Sequence, residues 1–263
     1  NGKTDIECFN DWVIELKKFN YLHNHTRMWF ASIWIFTLKL PWQKGAEFFM
    51  KHLYDGDAAS NTLSWRWVAG LQTKGKNYSA QSWNITKFTN NKYKNVKLVE
   101  NALPVIDNRE YKIVPLNFNN NDNLNKNLIF FENDLNIESF NLKKYDNIYC
   151  VMLSNDSRKI KLNEKVIRFK MQVISDQKKR FDKFEIIDEF KLEHILENIK
   201  TLDVIYPCVG ENMSFLKKIS KNNNLNFNFI LRDEDIYSWQ FSNKGYFNFK
   251  SNLPKIFSKF NIN

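Results

Sequence analysis

The chain has 263 residues, a formal net charge of +10 and an aromatic content of 16%, with 8 Trp and 23 Phe. That is enough to bury a sizeable core in one large domain or two small ones. No run approaches the roughly 20 apolar residues of a membrane span, no signal peptide is visible, and Cys8, Cys150 and Cys208 are too scattered for a disulfide framework or a Cys-based metal site. Sparse cysteines point to a reducing, cytoplasmic compartment. The basic balance, denser in the first third, suits a polyanionic partner such as nucleic acid. It suits equally a Lys- and Asn-rich composition with no ligand.

Residues 5–88 read as all-helical. WVIELKKF has apolar residues at helical spacing, and HTRMWFASIWIFTLKL is apolar almost all round, the pattern of a helix buried in a bundle that Pro41 must stop. A short helix is expected at about 43–52, and a further one to about Val68, capped by Asp57 and closed near Gly70. Residues 90–127 form a connector that includes the polar run IVPLNFNNNDNLNKN, which cannot pack a core. From Leu128 the texture changes. The apolar runs LIFF, NIYCVML, FEII, LDVIYPCV and FNFILR alternate with helical stretches at about 162–181, 190–199 and 212–222. Strands alternating with helices imply a parallel α/β sheet. There is no internal repeat, no GxGxxG and no Walker loop.

The densest chemistry lies in LYDGDAASNTLSWRWVAG, residues 53–70. Asp55 and Asp57 bracket Gly56 just before a helix. A turn and an N-cap explain one aspartate well and two less well. Arg27, in a helix expected to be buried, needs an acidic partner, and Asp55 or Asp57 is the candidate. A structural ion pair and a ligand site both fit. Trp65 and Trp67 are two apart on a helix and so face different surroundings. They read either as core or as stacking platforms and redox-active side chains. His23 and His25 are poorly spaced for a shared metal ion, no third ligand is evident, and no metal is expected.

LHNHTRMWFAS followed by LPWQKGAEFFMKHLYDGDAASNTLSWRWVAG resembles the flavin-binding helical domain of the photolyase/cryptochrome family over roughly residues 5–93. It looks most like the bacterial cyclobutane-pyrimidine-dimer repair enzymes. The resemblance implies FAD as cofactor, with Asn24, Arg27, Asp55, Asp57 and Asn61 as its binding residues and Arg27 paired with Asp55 beside the flavin ring. It implies Trp65 as the first electron donor to photoexcited flavin and Trp42 as the second. Asn24, His25, Met28 and Trp67 would meet a flipped-out lesion in DNA, with Arg66, Lys74 and Lys76 as phosphate contacts by position. His25 stands where the best-known dimer photolyases carry Arg. The family's phosphate-clamping Thr/Ser segment, its lesion-side Trp/Glu helix and the third Trp of its relay would lie upstream of these residues.

The fold expected is therefore α + α/β: an all-helical, photolyase-type FAD-binding region (1–95, partial), a connector (96–127), and a Rossmann-like α/β domain with a mostly parallel sheet (128–263). LIFFENDL resembles the opening strand of the family's antenna-type domain, here in swapped order, with the antenna chromophore unknown. LRDEDIYSWQFSNKGYFNFKSNLPKIF resembles a tail of bacterial photolyase-like proteins. The function implied is light-dependent repair of pyrimidine dimers by a cytoplasmic, monomeric, DNA-binding carbon–carbon lyase that makes no membrane contact. The competing readings are a cryptochrome-like blue-light photoreceptor and a non-enzymatic fragment that holds no flavin.

Overall fold

The structure, a computed structural model, describes residues 2–112, 125–199, 201–223 and 225–262. The chain forms two compact units: Asn1–Arg109 with Leu153–Val173 and Val209–Glu211, and Glu110–Met152 with Ile174–Cys208 and Asn212–Asn263. Most of the expected run 113–127 lies outside the described residues.

The first unit is helical. Helix α1 (Glu7–Phe19) buries Cys8, Phe9, Trp12, Val13 and Leu16, the one-sided stripe that a 3.6-residue repeat produces. It ends at Asn20, whose left-handed backbone (φ 57°) is a C-cap conformation that Asn tolerates. Helix α2 (Asn24–Ser32) begins at His23, whose Nδ1 accepts from the His25 amide. The buried helix expected up to Pro41 does not continue unchanged. Residues Ile33–Thr37 widen into a π-turn, with the Leu38 amide donating to the Ile33 carbonyl at 2.9 Å, and the chain leaves it through Lys39 at φ 52°. The first turn of α2 is also exposed rather than buried.

Helix α3 (Trp42–His52) follows Pro41, and α4 (Ala58–Val68) follows Asp57, whose carboxylate accepts from the Ser60 amide at 2.7 Å. The short helix α5 (Ser82–Phe88) completes this group. Their apolar faces meet in one core in which Leu16, Leu22, Phe30, Ile33, Trp65 and Ile85 are almost fully buried.

The second unit is built on a five-stranded parallel sheet: β1 (Asn127–Phe131), β2 (Asn147–Val151), β3 (Glu185–Ile187), β4 (Thr201–Ile205) and β5 (Asn226–Ile230), in the order β3-β2-β1-β4-β5. That is the strand order of a doubly wound Rossmann-type sheet. Helices α6 (Glu164–Arg180), α7 (Glu189–Leu196) and α8 (Glu211–Asn223) make the connections. Beyond β5, α9 (Asp233–Trp239) and α10 (Tyr246–Phe260) fold the tail into helices, which the sequence reading did not anticipate. Central strands β1 and β4 read as near-continuous apolar runs because both their faces are covered. Asp203 is the exception within β4. It is fully buried and accepts from Asn125 Nδ2 (2.7 Å), Asn228 Nδ2 (2.8 Å) and the Tyr145 hydroxyl (2.5 Å), with Lys144 Nζ at 3.3 Å.

Candidate functional site

The loop between α3 and α4 turns at Gly56 and delivers two carboxylates. Asp57 is spent partly on capping α4, through one oxygen. Asp55 meets Arg27 from α2: Nη2 lies 3.1 and 3.0 Å from its two oxygens. Arg27 is held from behind as well, since its Nε donates to the Leu22 carbonyl at 2.8 Å. The choice between the two aspartates is thus resolved in favour of Asp55. The pair stays accessible, with side-chain exposures of 24% for Arg27 and 58% for Asp55. One turn into α4, Asn61 donates from Nδ2 to the Ala46 carbonyl at 2.9 Å. That bond fixes the amide orientation and leaves Oδ1 without a donor among the described residues.

Behind this polar face the core is aromatic. Trp65 is 2% exposed, and its ring is boxed by Phe49 (5.0 Å between centroids), Trp34 (6.2 Å) and Phe30 (6.5 Å), each edge-on. Its indole Nε1 is buried without a hydrogen-bond partner among the described residues. Gly45 of α3 makes room for the ring: a Cβ there would lie 2.2 Å from Trp65 Cη2. Trp67, on another face of α4, is 41% exposed and stacks on Tyr78 at 5.6 Å with 22° between planes. Burial raises the Tyr78 phenol pKa.

Trp42 opens α3 and is half-buried. It has no ring contact with Trp65 among the described residues. The Arg66 guanidinium sits 5.9 Å from its ring centroid, and Asp107 lies 3.9 Å from Arg66. A cavity of about 430 Å³ opens beside it, lined by Leu40, Pro41, Leu71, Val105 and Asp107. Arg66, a phosphate contact by sequence position, is instead turned onto Asp107 and Trp42, whereas Lys74 and Lys76 are exposed in the turns after Gly70. On α2, Asn24 and His25 are exposed and Met28 is half-buried. The His25 ring lies 5.2 Å from Phe88 and 5.8 Å from Trp29. Sequence reasoning missed Gly45, Trp34, Tyr78 and Phe88. Of these only Gly45, a glycine inside a helical pattern, carried a local signal of close packing.

The sequence profile of the family described as the FAD binding domain of DNA photolyase matches residues 1–135. The chain belongs to this family. FAD is accordingly its cofactor. Among curated proteins, the deoxyribodipyrimidine photo-lyase of Streptomyces griseus is 44% identical over 73 residues, 28% of this chain and 16% of that protein. The deoxyribodipyrimidine photo-lyases of Buchnera aphidicola and Escherichia coli are 36% and 34% identical over 77 residues, 29% of this chain and 16% of each. The chain thus matches about a sixth of the length of these relatives. No solved structure matches it significantly.

The donor set at Arg27, Asp55, Asp57 and Asn61 fits a flavin. The pyrimidine edge of such a ring carries carbonyl acceptors and an N–H donor, which a guanidinium, carboxylates and an amide complement. Among the described residues, no helix is long and apolar enough to cross a membrane.

Proposed function

We propose that this chain is part of a cytoplasmic, monomeric, light-dependent DNA repair enzyme acting on pyrimidine dimers. In this reading residues 1–95 contribute to the FAD-binding helical domain and residues 128–263 form an antenna-type module. The observation that carries the proposal is the accessible Arg27–Asp55 pair, set beside Asp57 and Asn61 in a chain of the photolyase FAD-binding family. When bound and reduced, FAD supplies on blue-light excitation the electron that splits a pyrimidine dimer.

The residues divide the remaining work. Asn24, Arg27, Asp55, Asp57 and Asn61 bind and orient the cofactor's polar edge. Trp65 and Trp42 are the oxidisable indoles assigned to cofactor reduction. Trp67, exposed and backed by Tyr78, offers a stacking surface for a base taken out of the duplex, with Asn24, His25 and Met28 lining the approach. His25 in place of Arg contributes less fixed charge toward phosphate. The test has two stages. Flavin released on denaturation establishes the cofactor, and a protein that releases none refutes the proposal. The reduced flavoprotein is then illuminated with a dimer-containing oligonucleotide. Dimer loss that depends on light supports repair; persistence of dimers while the flavin is photoreduced and reoxidised refutes it and favours a photoreceptor.

A further inference from the structure

A second aromatic chain runs through the helical unit, apart from Trp65. Trp29 on α2 stacks on Trp12 of α1 at 5.7 Å with 26° between planes. Trp12 meets the edge of Tyr93 at 6.0 Å and 81°. All three rings are nearly buried, at 3%, 4% and 5% exposure. The chain ends on a proton acceptor: the Tyr93 hydroxyl donates to Asp11 Oδ2 at 2.7 Å. Lys92 Nζ holds the same oxygen at 3.0 Å and sits 4.7 Å from the Tyr93 ring centroid. The Thr86 hydroxyl fixes the Tyr93 backbone by donating to its carbonyl at 2.7 Å.

We propose that Tyr93 and Asp11 form a proton-coupled redox terminus that drains oxidising equivalents from Trp29 and Trp12. A strong one-electron oxidant removes an electron from Trp29, and Trp12 refills it. Tyr93 then gives one electron to the Trp12 radical cation and its phenolic proton to Asp11, leaving a neutral tyrosyl radical, a protonated Asp11 and two restored indoles. A surface reductant of the thiol or ascorbate class returns the electron, and Asp11 returns the proton.

The geometry explains why electron and proton must move together. A positive charge left on the Tyr93 ring would face the Lys92 ammonium, whereas passing the proton to Asp11 clears the ring of charge. An oxidised phenol is a strong acid, so a carboxylate already in hydrogen-bond contact accepts that proton without rearrangement. The cost is a weakened Lys92–Asp11 pair. That pair is solvent-exposed, at 62% and 41%, so little is lost. The oxidant is a diffusible radical of high one-electron potential, which is itself reduced by the electron taken from Trp29. The chain of contacts involves none of the cofactor-binding residues, so it does not depend on the repair reading.

The test is pulse radiolysis with the azide radical, which oxidises tryptophan in the absence of flavin and light, so its outcome is separate from that of the repair proposal. Decay of the indolyl signal should be matched by a first-order rise of tyrosyl absorption in the parent protein. Tyr93→Phe should remove the main part of that rise while circular dichroism stays unchanged. Asp11→Asn should slow it at least about tenfold, the effect of losing a charged proton acceptor. Heavy water should slow the parent and not a Trp12→Phe variant, in which the connection is cut upstream. A full tyrosyl yield in Tyr93→Phe, or an unchanged rate in Asp11→Asn, would show that the Tyr93–Asp11 bond is only a tether between α1 and the turn after α5, and would overturn the inference.

Discussion

Gly45→Ala tests whether the position of Trp65 is set by backbone contact. The added Cβ would lie 2.2 Å from Cη2 and 2.3 Å from Cζ3 of the indole. Carbon atoms rest at about 3.5–4.0 Å, so the ring would have to retreat by more than about 1 Å. It has nowhere to go, because Phe30, Trp34 and Phe49 close its other sides. Overpacking of this kind costs about 1–3 kcal/mol, and the enclosed site places it at the upper end. Exchanging Gly for Ala inside a helix returns about 1 kcal/mol of propensity. The net expectation is a loss of about 2 kcal/mol, read as a lower urea midpoint by circular dichroism. In a Trp65→Phe background the six-membered part of the indole is gone, so the same substitution should become neutral or stabilising. The coupling between the two sites should be about 2–3 kcal/mol. A Gly45→Ala protein more stable than the parent, or an equal shift in both backgrounds, would refute the packing argument.

Three further outcomes follow from particular groups. Asp203→Ala should destabilise the second unit by about 3–5 kcal/mol in urea titration, since it strands buried donors; burial first, and the Asp203 bond second, raise the Tyr145 pKa, and that bond would be lost. His52 is 6% exposed with its Nδ1 unpartnered among the described residues, and burial, then the charges of Lys51 and Lys17, push its pKa from 6.5 down to about 4. The unfolded chain therefore takes up this proton before the folded one does, so stability should fall by up to about 3 kcal/mol between pH 6.5 and about 4, and His52→Gln should flatten that slope in pH-dependent denaturation. Arg27→Lys should change stability by less than about 1 kcal/mol, because its pair with Asp55 is exposed, while flavin retention on gel filtration drops at least about tenfold from loss of the rigid fork.

The parallel sheet was legible because doubly covered strands announce themselves as short apolar runs, and all five runs became strands. Their order was not, since nothing local in LIFF or LDVIYPCV states that β1 sits between β2 and β4. The π-turn at Ile33–Thr37 escaped for a related reason: in a segment apolar all round, one extra residue per turn leaves no mark on the periodicity. Helix α10 was hidden by composition. Pro254 and the scattered asparagines of YFNFKSNLPKIF argue against a helix, yet the chain is helical from Tyr246 to Phe260.

For the site, spacing supplied the side chains and left their pairing open. Asp55 and Asp57 are equivalent by composition, the photolyase resemblance implies Asp55 as the partner of Arg27, and the approach of α2 makes that pair. Packing also made Trp34, rather than Trp42, the ring neighbour of Trp65. The structural bonds of the acidic pair and Arg27 use only part of their atoms. Capping α4 uses one oxygen of Asp57, and the ion pair uses one terminal nitrogen of Arg27. Among the described residues, Asp57 Oδ2, Arg27 Nη1 and Asn61 Oδ1 keep no partner. Each polar group is anchored by part of its hydrogen-bonding capacity and presents the rest to solvent. Under the proposed function this is what a ligand edge requires, because groups oriented before anything binds lose little freedom on binding.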